Sequence, residues 1–287
     1  MAAAKTNAFE HLALINRSIR EIYRCLGPAH VKSYRDDFIL GDFGKDIDRD
    51  PIIATQRLAK RIAEHYRLPV TTVIVTFRGG LKSPGHVELS QANEFFVELE
   101  ASRRFFPKAV AAILAHEVAH IFLHRCGIHF SVEFENEVLT DTTAAYLGFG
   151  ATILNAATKI EEYPSRNIVR KNTNHFGYLT LDEFGYILAK RDSLFSRDSL
   201  ALLEAGPSAA GFQSGSKRHK RELAVRPLIN RPWYQSLFQR ENASPDQLLK
   251  SIAFSCPYCS QTLRIPEIHK KLSVHCTTCD SRFFAYA

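Results

Sequence analysis

The chain has 287 residues, of which 45% are hydrophobic, 23% charged and 11% aromatic. This composition is typical of a soluble globular protein with one large domain and a small second one, and it excludes a chain that is disordered, collagen-like or coiled coil throughout. Lys and Arg number 37 against 30 Asp and Glu, so the formal net charge of +7 permits contact with nucleic acid or an acidic partner without requiring it.

Two helices and a small sheet are predicted in the N-terminal third. Apolar residues recur at spacings of three and four over 7–25, so we predict a helix there that ends at Gly27. Asp50 before Pro51 is typical of an N-cap followed by the first helical residue, and we predict a second helix from there to just before Pro69. Three β-branched or apolar runs predict short strands at 70–77, 86–89 and 95–99.

Helical patterns dominate the middle of the chain. A helix is predicted from Pro107 to about Arg125, where Gly127 ends it. Further helices are predicted over 135–158 and 179–194. Together with the strands, these helices predict an α+β fold.

The composition changes near residue 206. Gly, Ser and Pro residues and the basic run Lys217–Arg221 predict a basic linker over 206–232. The basic run is typical either of a solvated surface or of a contact with nucleic acid, and the sequence leaves both open. The predicted organisation is a main domain over 1–205, the linker, and a helix with a cysteine-rich module over 233–287.

The helix predicted from Pro107 contains an HExxH motif, His116 to His120. Residues four apart lie one turn above each other on a helix, so both imidazoles can reach one ion. Catalytic zinc takes three protein ligands and leaves a fourth position for water. Glu117 lies beside that position, where its carboxylate can take a proton from the water and deliver it to a leaving amine. The alternative is that these are ordinary polar residues of an exposed helix stripe.

A third metal ligand is expected from the next predicted helix, which contains NEVLTD at 136–141. Glu137 and Asp141 are four apart on one face, so Glu137 could bind the metal while Asp141 accepts the outer N–H of a ligand histidine. The metzincin pattern is not satisfied, because Cys126 stands where its third histidine would fall. The alternatives for the third ligand are Glu133, Glu135, Asp141, His124 and His129.

The sequence HEVAHIFLHR at 116–125, followed by the acidic, alanine-rich helix with NEVLTD, resembles the ImmA/IrrE group of metallopeptidases. These gluzincin-like enzymes include members that cleave helix-turn-helix repressors, and the chain is also similar to repressor-cleaving peptidases of bacterial anti-phage operons. The resemblance covers about 70–157, and Thr140 departs from it, because the group prefers alanine there. It implies a zincin-like fold, a repressor substrate, and a role in transcription regulation and antiviral defence. It also implies that the strands before the metal helix hold the substrate peptide in extended form.

Four cysteines of the tail form two CxxC pairs separated by 16 residues. This spacing predicts a structural zinc site of four thiolates in a zinc ribbon, whose metal replaces a core that so short a segment cannot build. We therefore expect two Zn²⁺ ions in the protein. Aromatic and basic residues in the tail either bind single-stranded nucleic acid or dock the ribbon onto the main domain. The four predicted ligands are Cys256, Cys259, Cys276 and Cys279.

Cys25 and Cys126 are outside the CxxC pairs. Thiolate is a better zinc ligand than water, so either thiol could fill the open position of the catalytic zinc and keep the enzyme latent. The alternative is that each is a small buried hydrophobic residue. The sequence does not identify the group that stabilises an oxyanion; the candidates are Tyr146, His175 and Tyr178.

We expect a cytoplasmic location and no membrane partner. The N-terminal segment has no uninterrupted apolar run of a secretory signal, and the apolar windows at 109–115 and 144–157 are too short or too polar to span a bilayer. The sequence thus favours a zinc-dependent endopeptidase that cleaves a partner protein, with nucleic acid as a possible regulator. The alternatives are a housekeeping or small-peptide metallopeptidase and a nucleic-acid-binding zinc-ribbon regulator without peptidase activity.

Overall fold

The chain is a mixed α+β protein, mostly helical with small sheets, as predicted. The structure is a computed structural model that describes residues 9–68, 71–89, 93–163, 168–173, 177–224, 251–256, 262–266, 271–276 and 282–286. Its α-helices are α1 Leu12–Leu26, α2 Pro28–Lys32, α3 Phe43–Arg49, α4 Pro51–His65, α5 Pro107–Cys126, α6 Glu133–Ala144, α7 Gly150–Ala156, α8 Leu181–Phe195 and α9 Pro207–Ala224. Its strands are β1 Thr72–Arg78, β2 Gly85–Glu88, β3 Glu94–Glu100, β4 Thr158–Tyr163, β5 Ile168–Thr173, β6 Ser251–Ser255, β7 Thr262–Pro266, β8 Lys271–His275 and β9 Arg282–Tyr286.

Both helices predicted in the N-terminal third are present as α1 and α4. The Asp50 side chain accepts hydrogen bonds from the backbone N–H groups of Ile52 and Ile53, each 3.0 Å long. Pro51 occupies the first helical position, where the missing N–H costs nothing. The predicted N-cap is therefore confirmed, whereas the short helices α2 and α3 were not predicted.

The three predicted strands form one sheet in the order β1-β3-β2, with β1 parallel and β2 antiparallel to β3. Its buried face packs on α4 and α5. Gly85 of β2 lies directly against α5: a Cβ atom there would be 2.5 Å from Ile113 Cγ2 and 2.7 Å from Glu117 Oε1. The absence of a side chain therefore lets β2 approach the helix that carries the HExxH motif.

The helix α5 lies in the core and contacts α4, α6, α7, β2 and β3. It ends as predicted, at Gly127 in the left-handed conformation with φ +63°. By length and composition alone it is long and apolar enough to cross a membrane, but 67% of its most apolar window is buried inside the protein. Core helices pass the same test, so this match is weak evidence for a span.

The helix predicted over 135–158 is not continuous, so that prediction is wrong. A π-helical turn at Ala145–Phe149 separates α6 from α7, and Gly148 in this turn has φ +121°. A Cβ atom at Gly148 would lie 2.7 Å from His65 Nε2, whose N–H bonds the carbonyl oxygen of Leu147 at 2.7 Å. The apolar pattern runs through the break and conceals it, because the residues on both sides are buried.

The strands β4 and β5, which were not predicted, follow α7 and pair antiparallel. The helix predicted over 179–194 is confirmed as α8. The Thr180 hydroxyl accepts a hydrogen bond from the N–H of Glu183, and the Glu183 carboxylate accepts one from the N–H of Thr180.

The predicted basic linker over 206–232 is wrong for 207–224, which form α9 packed on α8. Glycines on both helices allow this close packing: a Cβ atom on Gly185 of α8 would lie 2.1 Å from Gly211 O, and one on Gly215 of α9 would lie 2.0 Å from Tyr186 N. Their spacing therefore marks a contact face. Residues 225–232 lie outside the described residues.

The tail contains two antiparallel hairpins, β6 with β7 and β8 with β9. Cys256 directly follows β6 and Cys276 directly follows β8, and both are buried. Cys259 and Cys279 lie outside the described residues, so the four-cysteine zinc site stays a prediction.

Gly148→Ala should destabilise the protein by about 3 kcal/mol or more, because it combines backbone strain with a steric clash. Gly206→Ala is the matched control, since Gly206 has φ +111° but nothing within 4 Å of a built Cβ, and it should cost about 1 to 2 kcal/mol. Urea unfolding of both variants measures the difference. Equal losses in the two would contradict a role for the contacts at Gly148.

Candidate metal centre

Three potential ligand atoms converge where α5 packs on α6. His116 Nε2 and His120 Nε2 are 3.1 Å apart, and Glu137 Oε2 lies 3.2 Å from the first and 3.4 Å from the second. All three side chains are about one-fifth exposed, so they are accessible from one side. This is the group that brings three possible metal-ligating side chains together among the residues that the structure describes.

This triangle fits a tetrahedral ion. Zinc binds His nitrogen and carboxylate oxygen at about 2.0 to 2.2 Å, so two of its ligands are about 3.3 Å apart or slightly more. The three measured distances are close to that value. Catalytic zinc sites take three protein ligands and leave a fourth position open, and the triangle offers three candidate ligands.

Both histidines are held by a hydrogen bond at their second ring nitrogen. His116 Nδ1 donates to Asp141 Oδ1 at 2.8 Å, because an ionised carboxylate can only accept. His120 Nδ1 lies 3.2 Å from Thr140 Oγ1, whose own hydrogen is donated to the Asn136 carbonyl oxygen at 2.8 Å. The hydroxyl therefore accepts from His120, and both imidazoles direct Nε2 towards Glu137.

Asp141 is itself fixed by the segment before α8. Its Oδ2 accepts from the backbone N–H groups of Tyr178 at 2.6 Å and Leu179 at 3.3 Å. Gly177 has φ +84°, and a Cβ atom there would lie 2.4 Å from Asp141 Oδ2. The carboxylate thus occupies the space that any larger residue at 177 would need. Through this carboxylate, the segment before α8 affects the orientation of His116.

The charges favour a cation at the centre. Burial opposes ionisation of Glu137, but hydrogen bonds with His116 and His120 outweigh it and lower its pKa to about 2. Burial would also lower the pKa of His116, but its hydrogen bonds with Asp141 and Glu137 outweigh it and raise that pKa well above its ordinary value. A metal ion that binds His116 Nε2 must displace the proton on that nitrogen. The charge of the ion then neutralises the carboxylates of Glu137 and Asp141.

Glu117 lies in the same cleft but outside the ligand triangle. It is 6% exposed, and burial raises the pKa of its carboxyl group even though His116 and His120 act to lower it. A raised pKa suits a group that takes and returns a proton. The cleft has a volume of about 660 Å³ and is lined by residues of β2, α5, α6 and the segment before α8: 82–87, Leu89, Ala112, Ile113, His116, Glu117, His120, Glu133, Glu137, Asp141, Ile153, Gly177 and Tyr178.

The alternative third ligands are not in the triangle. Glu135 forms an exposed ion pair with Arg17 at 3.0 Å, and His124 lies edge-on to the Phe95 ring. Glu133 lines the cleft without joining the ligand group. His129 also lies outside that group, and Asp141 holds His116 from behind.

The two remaining thiols do not reach the metal centre. Cys25 is exposed at the end of α1, and neither it nor Cys126 lines the cleft. Burial raises the pKa of Cys126 to about 11, with a further contribution from Cys25, which opposes thiolate formation. This arrangement lacks the zinc–thiolate contact that latency requires.

Of the three oxyanion candidates, Tyr178 lies in the cleft. Tyr146 is fully buried, and its hydroxyl lies 3.2 Å from that of Tyr23. His175 lies outside the described residues. The sequence reasoning missed Thr140 and Gly177; the first had a usable signal, since it lies three residues after Glu137 on the same helix face.

No protein-family model, curated protein or solved structure matches this chain.

Asp141→Ala should weaken metal binding at this centre by about 10- to 100-fold, because His116 loses its orienting acceptor. Thr140→Ala should weaken it less, and Thr140→Ser should restore it by returning the hydroxyl. Titration with Co²⁺ follows this centre separately from cysteine sites, which add thiolate charge-transfer absorption.

Glu135→Ala is the control on the same helix, since its partner is the exposed Arg17. Unchanged Co²⁺ affinity in Asp141→Ala, with the fold intact by circular dichroism, would contradict the proposed support of His116.

Proposed function

We propose that this protein is a zinc-dependent endopeptidase with a zincin-like main domain, in which His116, His120 and Glu137 bind the catalytic ion. The observation that carries the proposal is the ligand triangle with both outer imidazole nitrogens held, beside a buried glutamate in one cleft. Polar residues that lie together on an exposed helix stripe only by chance are not expected to have both outer imidazole nitrogens hydrogen-bonded in this way. A second, structural Zn²⁺ in a zinc ribbon and a cytoplasmic location belong to the same proposal.

Zinc, when bound, supplies a Lewis acid that polarises a carbonyl group and lowers the pKa of water. Glu117 takes a proton from the attacking water and later gives it to the leaving amine, for which its raised pKa is suited. Asp141 and Thr140 keep the two imidazoles in place during this cycle. Tyr178 is our candidate for the donor that stabilises the oxyanion, because its phenol is in the cleft.

The substrate is proposed to be an extended segment of a partner protein. Among the described strands, β2 pairs with β3 on one side, and residues 82–87 together with Leu89 form one wall of the cleft. A free strand edge beside the reacting groups offers backbone hydrogen bonds to a peptide strand. That the partner is a helix-turn-helix repressor is proposed from the resemblance of HEVAHIFLHR to the ImmA/IrrE group.

A second function, nucleic-acid binding, is favoured by the exposed face of α9. Lys217, Arg218 and Arg221 line a cleft of about 390 Å³ between α1 and α9, together with Phe9. None of the ion pairs found among the described residues includes these three cations. Unpaired cations beside an aromatic ring suit a phosphate backbone and a stacked base. This surface is compatible with regulation of the peptidase, or with a regulator that does not cleave.

Glu117→Gln should lower peptide cleavage by at least about 100-fold while zinc content stays at two ions per chain, because the general base is lost but no ligand. The joint change His116→Ala and His120→Ala should leave one zinc. Cleavage is measured on a pool of quenched fluorescent peptides, and zinc by elemental analysis.

Glu135→Gln is the control that should cleave normally. Full cleavage by Glu117→Gln would contradict the mechanism, and a zinc-loaded wild type that cuts no peptide would favour the non-peptidase alternative.

The joint change of Lys217, Arg218 and Arg221 to Ala should weaken binding of a single-stranded oligonucleotide and reduce the slope of log K against log salt by about 0.7 per lost phosphate contact. Fluorescence anisotropy at a series of salt concentrations measures both. Arg49, Arg57 and Lys60, all exposed on α3 and α4, provide a control of equal charge. An equal effect of the two triple variants would indicate binding by net charge alone.

A further inference from the structure

The cleft between α1 and α9 is lined by cations and apolar side chains. Lys217, Arg218 and Arg221 are exposed on α9, and Phe9 and Leu12 come from the start of α1 and the turn before it. Among the residues that the structure describes, no carboxylate lines this cleft. We call it the basic cleft, and the one that holds Glu117 the metal cleft. The charge of the basic cleft favours a negatively charged ligand.

Three ring side chains connect the two clefts. Tyr178 lines the metal cleft, and its ring lies 5.8 Å from that of Phe134. The ring of Phe134 lies 5.3 Å from that of His11, which stands in the chain between two residues that line the basic cleft. Tyr178 and Phe134 are 47% and 43% exposed, so this surface is open to a ligand. We call Tyr178, Phe134 and His11 the aromatic band.

The band is anchored at both ends. The backbone N–H of His11 donates to Glu183 Oε1 at 2.6 Å, and Glu183 is fully buried at the start of α8. The backbone N–H of Tyr178, just before α8, donates to Asp141 Oδ2 at 2.6 Å. Both ends of the band are therefore bonded to fixed carboxylates, which sets the distance from one cleft to the other.

This distance corresponds to a few residues of an extended peptide. The rings of Tyr178 and His11 are at most about 11 Å apart, since each lies within 6 Å of the ring of Phe134. An extended chain advances about 3.3 Å per residue, so three or four residues cross the band, and roughly the fourth to tenth residue from a cut in the metal cleft reaches the basic cleft.

We propose that the basic cleft binds an acidic stretch of the substrate protein, about four to ten residues from the scissile bond on one side. This inference rests on the proposed peptidase function and adds a recognition element that is remote from the cut. Carboxylates of the stretch meet Lys217, Arg218 and Arg221, which take part in none of the ion pairs found among the described residues. Its apolar side chains pack on Phe9 and Leu12.

The same three cations form the surface that we propose for nucleic acid, and the aromatic band favours a peptide. A peptide bound in the metal cleft continues along the band, and this attachment raises the effective concentration of its acidic stretch at the cations. A free oligonucleotide has no such attachment. The two ligands would compete, because both need the same positive charges.

Binding provides the first test and does not depend on cleavage. The zinc-loaded Glu117→Gln variant is titrated with fluorescent peptides in which one uncharged decapeptide carries a block of four Glu, four Gln or four Lys residues, before it in one set and after it in another. In one set the Glu peptide should bind at least about tenfold more tightly than the Gln peptide, and the Lys peptide most weakly. The difference should shrink with added salt, which screens exposed charges.

Two variants and a spacer locate the effect. Joint change of Lys217, Arg218 and Arg221 to Ala should remove the preference for Glu, whereas joint change of the exposed Arg49, Arg57 and Lys60 to Ala should retain it. A Glu block supplied as a separate peptide should lose most of the gain, because the link between the two parts is lost.

Three results of this series would overturn the inference. They are equal binding of the Glu and Gln peptides, an equal loss of preference in both triple variants, and a separate Glu block that binds as well as the linked one. An oligonucleotide that binds through the α9 cations while the Glu peptides show no preference would also overturn it and would make nucleic acid the ligand.

Cleavage provides the second test. A peptide that the wild type cuts is extended by the Glu block or the Gln block, on the side that the binding series identifies. The Glu extension should raise kcat/KM at least about tenfold, chiefly by lowering KM, because the added contacts are made equally in the ground state and the transition state. Equal values would overturn the inference and leave the proposed function standing. A protein that cuts no peptide would contradict the proposed function instead.

Discussion

The register between α5 and α6 is the constraint on which the site depends. Two residues spaced by four on α5 face three residues of α6 spaced by three and four: Glu137, Thr140 and Asp141. Glu137 offers the third candidate ligand atom, and Thr140 and Asp141 hold the outer nitrogens of the two imidazoles. A rotation of either helix by one residue, about 100°, would remove all of these contacts at once. The packing of two helices therefore determines the ligand set and its orientation together.

The surrounding elements maintain this register through close contacts at glycines. Gly85 lets β2 lie against α5, and Gly177 leaves room for the Asp141 carboxylate. At Gly148, φ +121° interrupts the helical path between α6 and α7, and α7 packs on α5. Gly85 and Gly177 line the cleft, whereas a Cβ atom at Gly148 would meet His65 and Asp36. The cleft is thus bounded by backbone approaches that a side chain would prevent.

Asp141 connects the candidate metal centre with the segment before α8. Its Oδ1 accepts a hydrogen bond from His116, and its Oδ2 accepts one from the backbone N–H of Tyr178. Displacement of the segment before α8 would therefore change the orientation of His116. The basic face of α9 is a separate surface, but its helix packs on α8, which follows that segment.

Local patterns in the sequence determined the helix α5, the N-cap at Asp50, the three strands of the sheet and the position of Glu137 and Asp141 on one helix face. Each of these depends on spacing along one element. The break at Gly148, the docking of α9 and the roles of Gly85 and Gly177 depended on neighbours distant in the chain. Glycine is compatible with a linker, a turn or a close packing contact, and only the tertiary structure decides which. The sequence therefore predicted which residues could bind a metal, and the fold decided which of them meet.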